Sequence, residues 1–138
     1  MIQKVVTELR HASVSIIQAE EPTLLVTATA EYIPIEQFRE IFTVAGQQVV
    51  TEGIRKVIFD KRQLTVFHQP SMLWYFVYWK ESMFNHGLKR HVKILPTDLA
   101  FRESVKIGRS KIDHDFPQGK FHDMEIVYAE SLEEALAL

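Results

Sequence analysis

The chain has 138 residues, 46% hydrophobic and 25% charged, with 16 Lys and Arg against 18 Asp and Glu for a formal net charge of -2 and a pI of about 6.3. These are globular proportions at single-domain length and exclude disordered, collagen-like and low-complexity classes; the slight negative charge provides no overall field to gather nucleic acid or an anionic membrane. With no cysteine, disulfides, thiolate metal sites, iron–sulfur clusters and cysteine nucleophiles are excluded together.

The N-terminal stretch MIQKVVTELRHASVSII is broken by Lys4, Glu8, Arg10 and His11. It has no hydrophobic region of signal-peptide length, so secretion is not expected and a cytoplasmic location fits. SVSIIQA (13–19) and TLLVTATA (23–30) are rich in β-branched residues and flank the turn formers Glu20, Glu21 and Pro22, which predicts a hairpin. After Pro34, apolar residues at 35, 38, 41, 42, 45 and 49 follow helical spacing, and Gly53 stands at the C-cap position. IRKVIFD (54–60) reads as a buried strand.

Pro70 opens and Gly87 closes a second helix, RHVKIL (90–95) is a strand, and a more polar helix runs from Thr97 to about Ile112 with Thr97 or Asp98 as cap. HDMEIVYA (122–129) alternates like a strand, and Ser131 with Glu134 forms a capping box for a last helix. The order β-β-α-β-α-β-α-β-α implies an α/β fold: one domain over 1–138, helices packed on a mixed sheet of about five strands.

Three stretches carry a family likeness: KVIFDKRQL (56–64), a strand running into an aspartate and a basic residue; HGLKRHVKIL (86–95), a glycine turn into the next strand; and FHDMEIVYAESLEEALAL (121–138), a last strand and short helix. In their order and spacing the chain resembles the STAS fold of anti-sigma-factor antagonists, and more closely the SpoIIAA-like, STAS/SEC14-like group of small bacterial proteins. The resemblance implies a non-enzymatic regulatory or protein-interaction module; its SEC14-like side implies instead a carrier or binder of an apolar small molecule or lipid. Regulatory members carry a phosphorylatable serine in an Asp-Ser-Ser/Thr-Gly-like turn. The matching region TVFHQPSMLW (65–74) has Ser71 but neither that aspartate nor that glycine, so Ser71 reads either as a phosphorylation site or as a plain first-turn serine.

On a wheel of 100° per residue, Met72, Phe76, Trp79 and Met83 form one stripe of the second helix, and Leu73, Val77 and Phe84 an adjoining one; both are expected in the core. Trp74 and Tyr78 fall instead on the polar arc of Glu81, Ser82 and Asn85. They pack against a neighbouring loop or helix, form a self-association or protein-partner surface, or wall an apolar ligand. The eight-residue apolar run is too short for an integral membrane segment, and a lone Lys80 is too little for a helix lying on a membrane.

Asp60, at the carboxyl end of a central strand and followed by Lys61, Arg62 and His68, stands where α/β folds place ligands, and is read either as an acid–base group or as a local cap or pair. Asp113, His114 and Asp115 could meet His122 and Asp123 around a divalent cation if the loop folds back, the alternative being solvated loop residues. Arg102, Lys106 and Arg109 share a helix face suited to an acidic partner, a phosphate or plain solvent. No nucleophile–base–orienter set and no glycine-rich phosphate cradle is present. Neither an enzyme, a metal nor a cofactor is therefore expected.

Overall fold

The computed structural model describes residues 2–18 and 20–138. Among them, six strands form one sheet in the order β1-β2-β3-β4-β5-β6. The strands β1 (Ile2–Glu8), β2 (Ala12–Gln18) and β3 (Pro22–Ala28) form an antiparallel meander. To it β4 (Lys56–Asp60), β5 (Arg90–Ile94) and β6 (Glu125–Ala129) add in parallel. The predicted 13–19 strand ends at Gln18; Ala19 lies outside the described residues.

The parallel strands are joined by α1 (Ile35–Glu52), by a helix over residues 69–85, and by α4 (Leu99–Asp115). These crossovers share one apolar core with the side chains of Val14, Val26, Val57 and Phe59, so they lie on one face and the strand order simply advances. The other face carries Ile17, Leu25, Ile58, Val92 and Ile94, and α5 (Leu132–Ala137) covers part of it through Ala135, Leu132 and Leu136. This mixed α/β arrangement, with a mostly parallel sheet, is consistent with a STAS-like single domain.

Local signals explain most boundaries. Gly53 closes α1 in the left-handed conformation at φ 64°, its N–H donating to Val49 O. Asp98, not Thr97, caps α4, accepting from the N–H groups of Ala100 and Phe101. Ser131 Oγ accepts from Glu134 N at 3.1 Å, while the Glu134 carboxylate reaches back to Glu130 N rather than to the cap residue. At the carboxyl end of α5, Lys56 Nζ donates to the backbone oxygens of Leu136 and Leu138, and Arg90 Nη1 also donates to Leu138 O, cations meeting a helix's negative end.

Two expectations are corrected. The sheet has six strands rather than five, because β1 pairs with β2 as an edge strand. The alternation of β1 is interrupted by a register shift between Val5 and Thr7; Lys4, Val5 and Glu8 are exposed, and charge on an edge discourages pairing with other chains. The second helix is not uniformly α-helical. It runs as α2 (Gln69–Trp74), a π-helical segment (Tyr75–Lys80) and α3 (Glu81–Asn85), so a 100° wheel fails across it. Met72, Phe76, Trp79 and Met83 are buried as expected and Val77 and Phe84 pack against the core, but Leu73 is 38% exposed, and Tyr75 and Lys80 are fully buried.

Phe42 lies at the middle of the helical face, its ring centroid 4.6–5.1 Å from those of Phe38, Phe59, Tyr75 and Trp79. Phe42→Ala is expected to lower stability by about 3–5 kcal/mol, measured as a shift in the urea midpoint at unchanged slope; a loss below about 1 kcal/mol would contradict this packing.

Candidate functional site

Two features of the 69–85 helix stand out, one on its outer side and one beneath it. Outside, α1 and this helix leave an open groove of about 500 Å³. Phe42, Gly46 and Val50 form one wall; Trp74, Tyr78 and Met83 form the other. The helices approach closely because residue 46 is glycine: a Cβ there would lie 3.2 Å from Trp79 Nε1 and 3.3 Å from Met83 Cε. Trp79 Nε1 donates to Phe42 O at 2.6 Å, so the indole's polar atom is satisfied and the groove floor is left apolar.

Trp74 is half-buried. Its ring stands edge-on to Phe38 at 6.1 Å, and the Arg39 guanidinium lies 5.8 Å above it. Packing on a neighbouring helix therefore accounts for much of Trp74. Tyr78 has no such account: it is 65% exposed, and Val50 across the groove is exposed as well.

The other sequence candidates separate. Asp60 Oδ1 accepts from Arg62 N and Nε at 3.1 and 3.0 Å, and Oδ2 from Arg62 Nη2 at 2.7 Å, a two-pronged local pair that leaves little carboxylate for other chemistry. His68 and Ser71 meet, Nδ1 to Oγ at 3.0 Å. Ser71 is buried, so transfer of a phosphoryl group to it requires the first turn of α2 to open.

The loop after α4 does fold back, bringing His122 Nδ1 to 3.9 Å from Asp113 Oδ1. Asp113 is already paired with Arg109 at 2.9 Å, however, and His122 Nε2 with Phe116 O at 2.9 Å. Among the described residues no three His, Asp or Glu side chains gather in a way that could hold a metal ion. The basic stripe on α4 is not simply solvated: Arg102 Nε donates to Pro96 O at 2.7 Å, and Arg109 reaches inward over the Phe76 ring at 4.9 Å.

Beneath the helix lies what the sequence reading missed. Lys61, Lys80, Lys93 and His91 are fully buried on the helical face of the sheet. Strand alternation puts His91 and Lys93 on the same side as Val57 and Phe59, and Lys80 comes down from the π-helical segment. The three Nζ atoms and His91 Nδ1 have no hydrogen-bond partner among the described residues.

Aromatic faces take the place of hydrogen bonds. Lys61 Nζ stands 4.9 and 4.6 Å from the Phe59 and Phe67 ring centroids, Lys80 Nζ 3.6 Å from Phe76 and 4.7 Å from Tyr75, and Lys93 Nζ 5.2 Å from Phe76 and 5.3 Å from Tyr128. Desolvation, reinforced by mutual repulsion, pulls the Lys61 and Lys80 ammonium groups well below the ordinary lysine range. Lys93 falls to about 7 through burial and the charge of Arg109, partly offset by Asp113. His91 is likewise held neutral by burial. Tyr75, pushed up by burial, keeps its proton and can donate to His91 Nε2, 3.2 Å away. The available signal was a lysine inside an apolar strand, VKIL at 92–95, because a strand apolar on both faces must take its polar residues inside as well.

The pH dependence follows. The unfolded chain binds these lysine protons more tightly than the folded one, so between about pH 7 and 10 unfolding takes up protons and stability rises with pH, by at most about 1.4 kcal/mol per pH unit for each proton. Urea unfolding at pH 7, 8 and 9 should show increasing stability, with a shallower rise in Lys93→Met. A flat or falling wild-type profile would contradict neutral buried lysines.

No family model matches the chain, and no curated protein matches it. Among solved structures it is similar to one described as the overall structure of SLC26A9, with a TM-score of 0.53 and 11% sequence identity over 95% of this chain and 24% of that one. At that identity the likeness concerns fold alone, and it agrees with the mixed α/β architecture above. This chain spans about a quarter of that neighbour's length. No helix among the described residues is long and apolar enough to cross a membrane.

Proposed function

We propose that this chain is a STAS-like regulatory or protein-interaction module, of the SpoIIAA-like, STAS/SEC14-like kind suggested by its sequence, acting by contact and not by catalysis. Its contact surface is the groove between α1 and the 69–85 helix, and the occupant is the same groove of a second copy. The observation that supports this reading is the exposed Tyr78 facing the exposed Val50 across an apolar floor. An exposed aromatic beside a half-buried one is the composition of an interface centre. The flanking residues Thr43, Gln47, Thr51 and Ser82 are uncharged, so two copies of this face meet without like-charge repulsion, which a two-fold contact requires.

A second reading, an apolar small molecule in the same groove, is favoured by its size: about 500 Å³ is within the range of ligand sites. The two are separable. Light scattering on the purified chain is expected to give a dimer that Tyr78→Glu converts to a monomer with unchanged far-UV circular dichroism. A monomeric wild type that releases an apolar compound on denaturation in native mass spectrometry would replace the first reading with the second. A monomeric wild type carrying nothing would remove both.

A further inference from the structure

We propose that the buried lysines near the carboxyl ends of β4 and β5 form a binding site for a small oxyanion of the phosphate class, entered from the surface hollow between α4 and β6 when the Tyr128 ring swings aside. This site is separate from the groove and does not depend on how the groove is used.

The first ground is unmet hydrogen-bonding capacity. Three buried Nζ atoms without partners among the described residues carry, when protonated, about nine N–H donors. The acidic group acting on Lys80 and Lys93 is Asp113, whose carboxylate already accepts from Arg109 Nε at 2.9 Å. Buried amines without partners leave hydrogen-bonding capacity unmet, and each one that takes a proton adds a charge with little counter-charge beside it, which costs stability unless something satisfies it. An anion with several oxygens supplies both the charge and the acceptors.

The second ground is position. Lys61 follows β4 directly and Lys93 lies near the end of β5, the end of a parallel sheet at which α/β folds bind ligands. Lys80 and Tyr75 belong to a π-helical segment, a local irregularity found often at functional sites. The two elements are tied together here by the Tyr75–His91 hydrogen bond.

The third ground is access. A hollow of about 420 Å³ is lined by Leu95, Arg102, Lys106, Tyr128, Ala129 and Glu130. Tyr128 lines this hollow and its ring lies 5.3 Å from Lys93 Nζ, so the same ring borders both the hollow and a buried lysine. On the inner side, Arg109 and Lys80 both lie over Phe76. The α4 stripe thus runs from Arg102 and Lys106 at the hollow to Arg109 beside the lysines. Glu130 partly offsets it at the mouth, 3.5 Å from Arg102.

The donor set selects the class. Three ammonium groups arriving from separate segments act as point charges, which suits a tetrahedral oxyanion; a planar carboxylate is better matched by an arginine fork. Because burial favours the neutral amines, anion binding draws protons in with it.

The test is calorimetric titration of the full chain at pH 8 with inorganic phosphate and, in a second arm, glycerol 3-phosphate, at constant chloride and in two buffers of different ionisation enthalpy. The expected result is saturable binding with net proton uptake, weakened at least tenfold by Lys93→Met and by Lys80→Met. Stronger binding of the ester than of phosphate identifies the anion as the head of a larger molecule, and the reverse identifies a free ion. Methionine fills the lysine stem's space without a buried charge, so both variants should fold; Lys106→Glu, at the hollow's rim, tests the same site from outside and should weaken binding at least threefold. Absence of saturable heat, or affinities unchanged across all three variants, would overturn the proposal.

Discussion

The helical face of the sheet is organised around one phenol. The Tyr75 ring lies within 4.6–5.8 Å of the rings of Phe38, Phe42, Phe59, Phe76, Trp79 and His91, and so joins α1, β4, β5 and its own helix. A phenylalanine there would keep most of the apolar contact. The hydroxyl adds a constraint, because a buried O–H must find a partner, and His91 on β5 is where it finds one. That bond fixes the depth to which the 69–85 helix descends onto the sheet, and with it the position of Lys80 one turn further along.

Burying Lys61, Lys80 and Lys93, with Asp113 acting on the latter two, runs against the usual partition of charge to the surface. Two effects reduce the cost. The aromatic faces stabilise whatever fraction stays protonated, by about 0.5–2 kcal/mol for each close contact, and burial shifts the lysines toward the neutral amine, Lys93 to about 7. Like charges in proximity then disfavour one another's protonation, so the groups titrate as a set and their protonation depends on anything negative brought near. A core of this kind is less stable than its hydrocarbon counterpart and far more responsive to its ionic surroundings.

Much of the fold was legible from local rules. Gly53, Asp98 and Ser131 act where capping chemistry places them, and the β-branched runs at 13–18 and 23–28 are strands. Edge and interior were harder. The first strand escaped because a register shift between Val5 and Thr7 interrupts its period of two and none of residues 3–8 is fully buried, so no clean apolar alternation marks it. Within the candidate sites, the exposed Tyr78 followed from simple helical spacing, since it falls on the outer arc in either helix type. Tyr75 and Lys80 did not, because their burial comes from the change of helical pitch, which depends on tertiary packing rather than on any residue nearby in sequence. Lys61 and Lys93 were legible only as charges in apolar company; composition cannot distinguish a side chain that snorkels to water from one sealed by rings.

The π-helical segment connects these observations. In a continuous α-helix, positions 75, 76, 79 and 80 span a wide arc, and the chain would have to choose which to expose. Widening the turn lets all four face inward, Tyr75 to His91, Phe76 to the lysines, Trp79 to the Phe42 carbonyl and Lys80 to the Phe76 ring, while Tyr78 is turned fully outward. The same distortion therefore builds the apolar groove on one side and the lysine-bearing interior on the other. Since π-helical turns are rare and usually single, the segment holds its shape through the contacts it makes on both sides, with Trp79 tied to the Phe42 carbonyl and Tyr75 to His91.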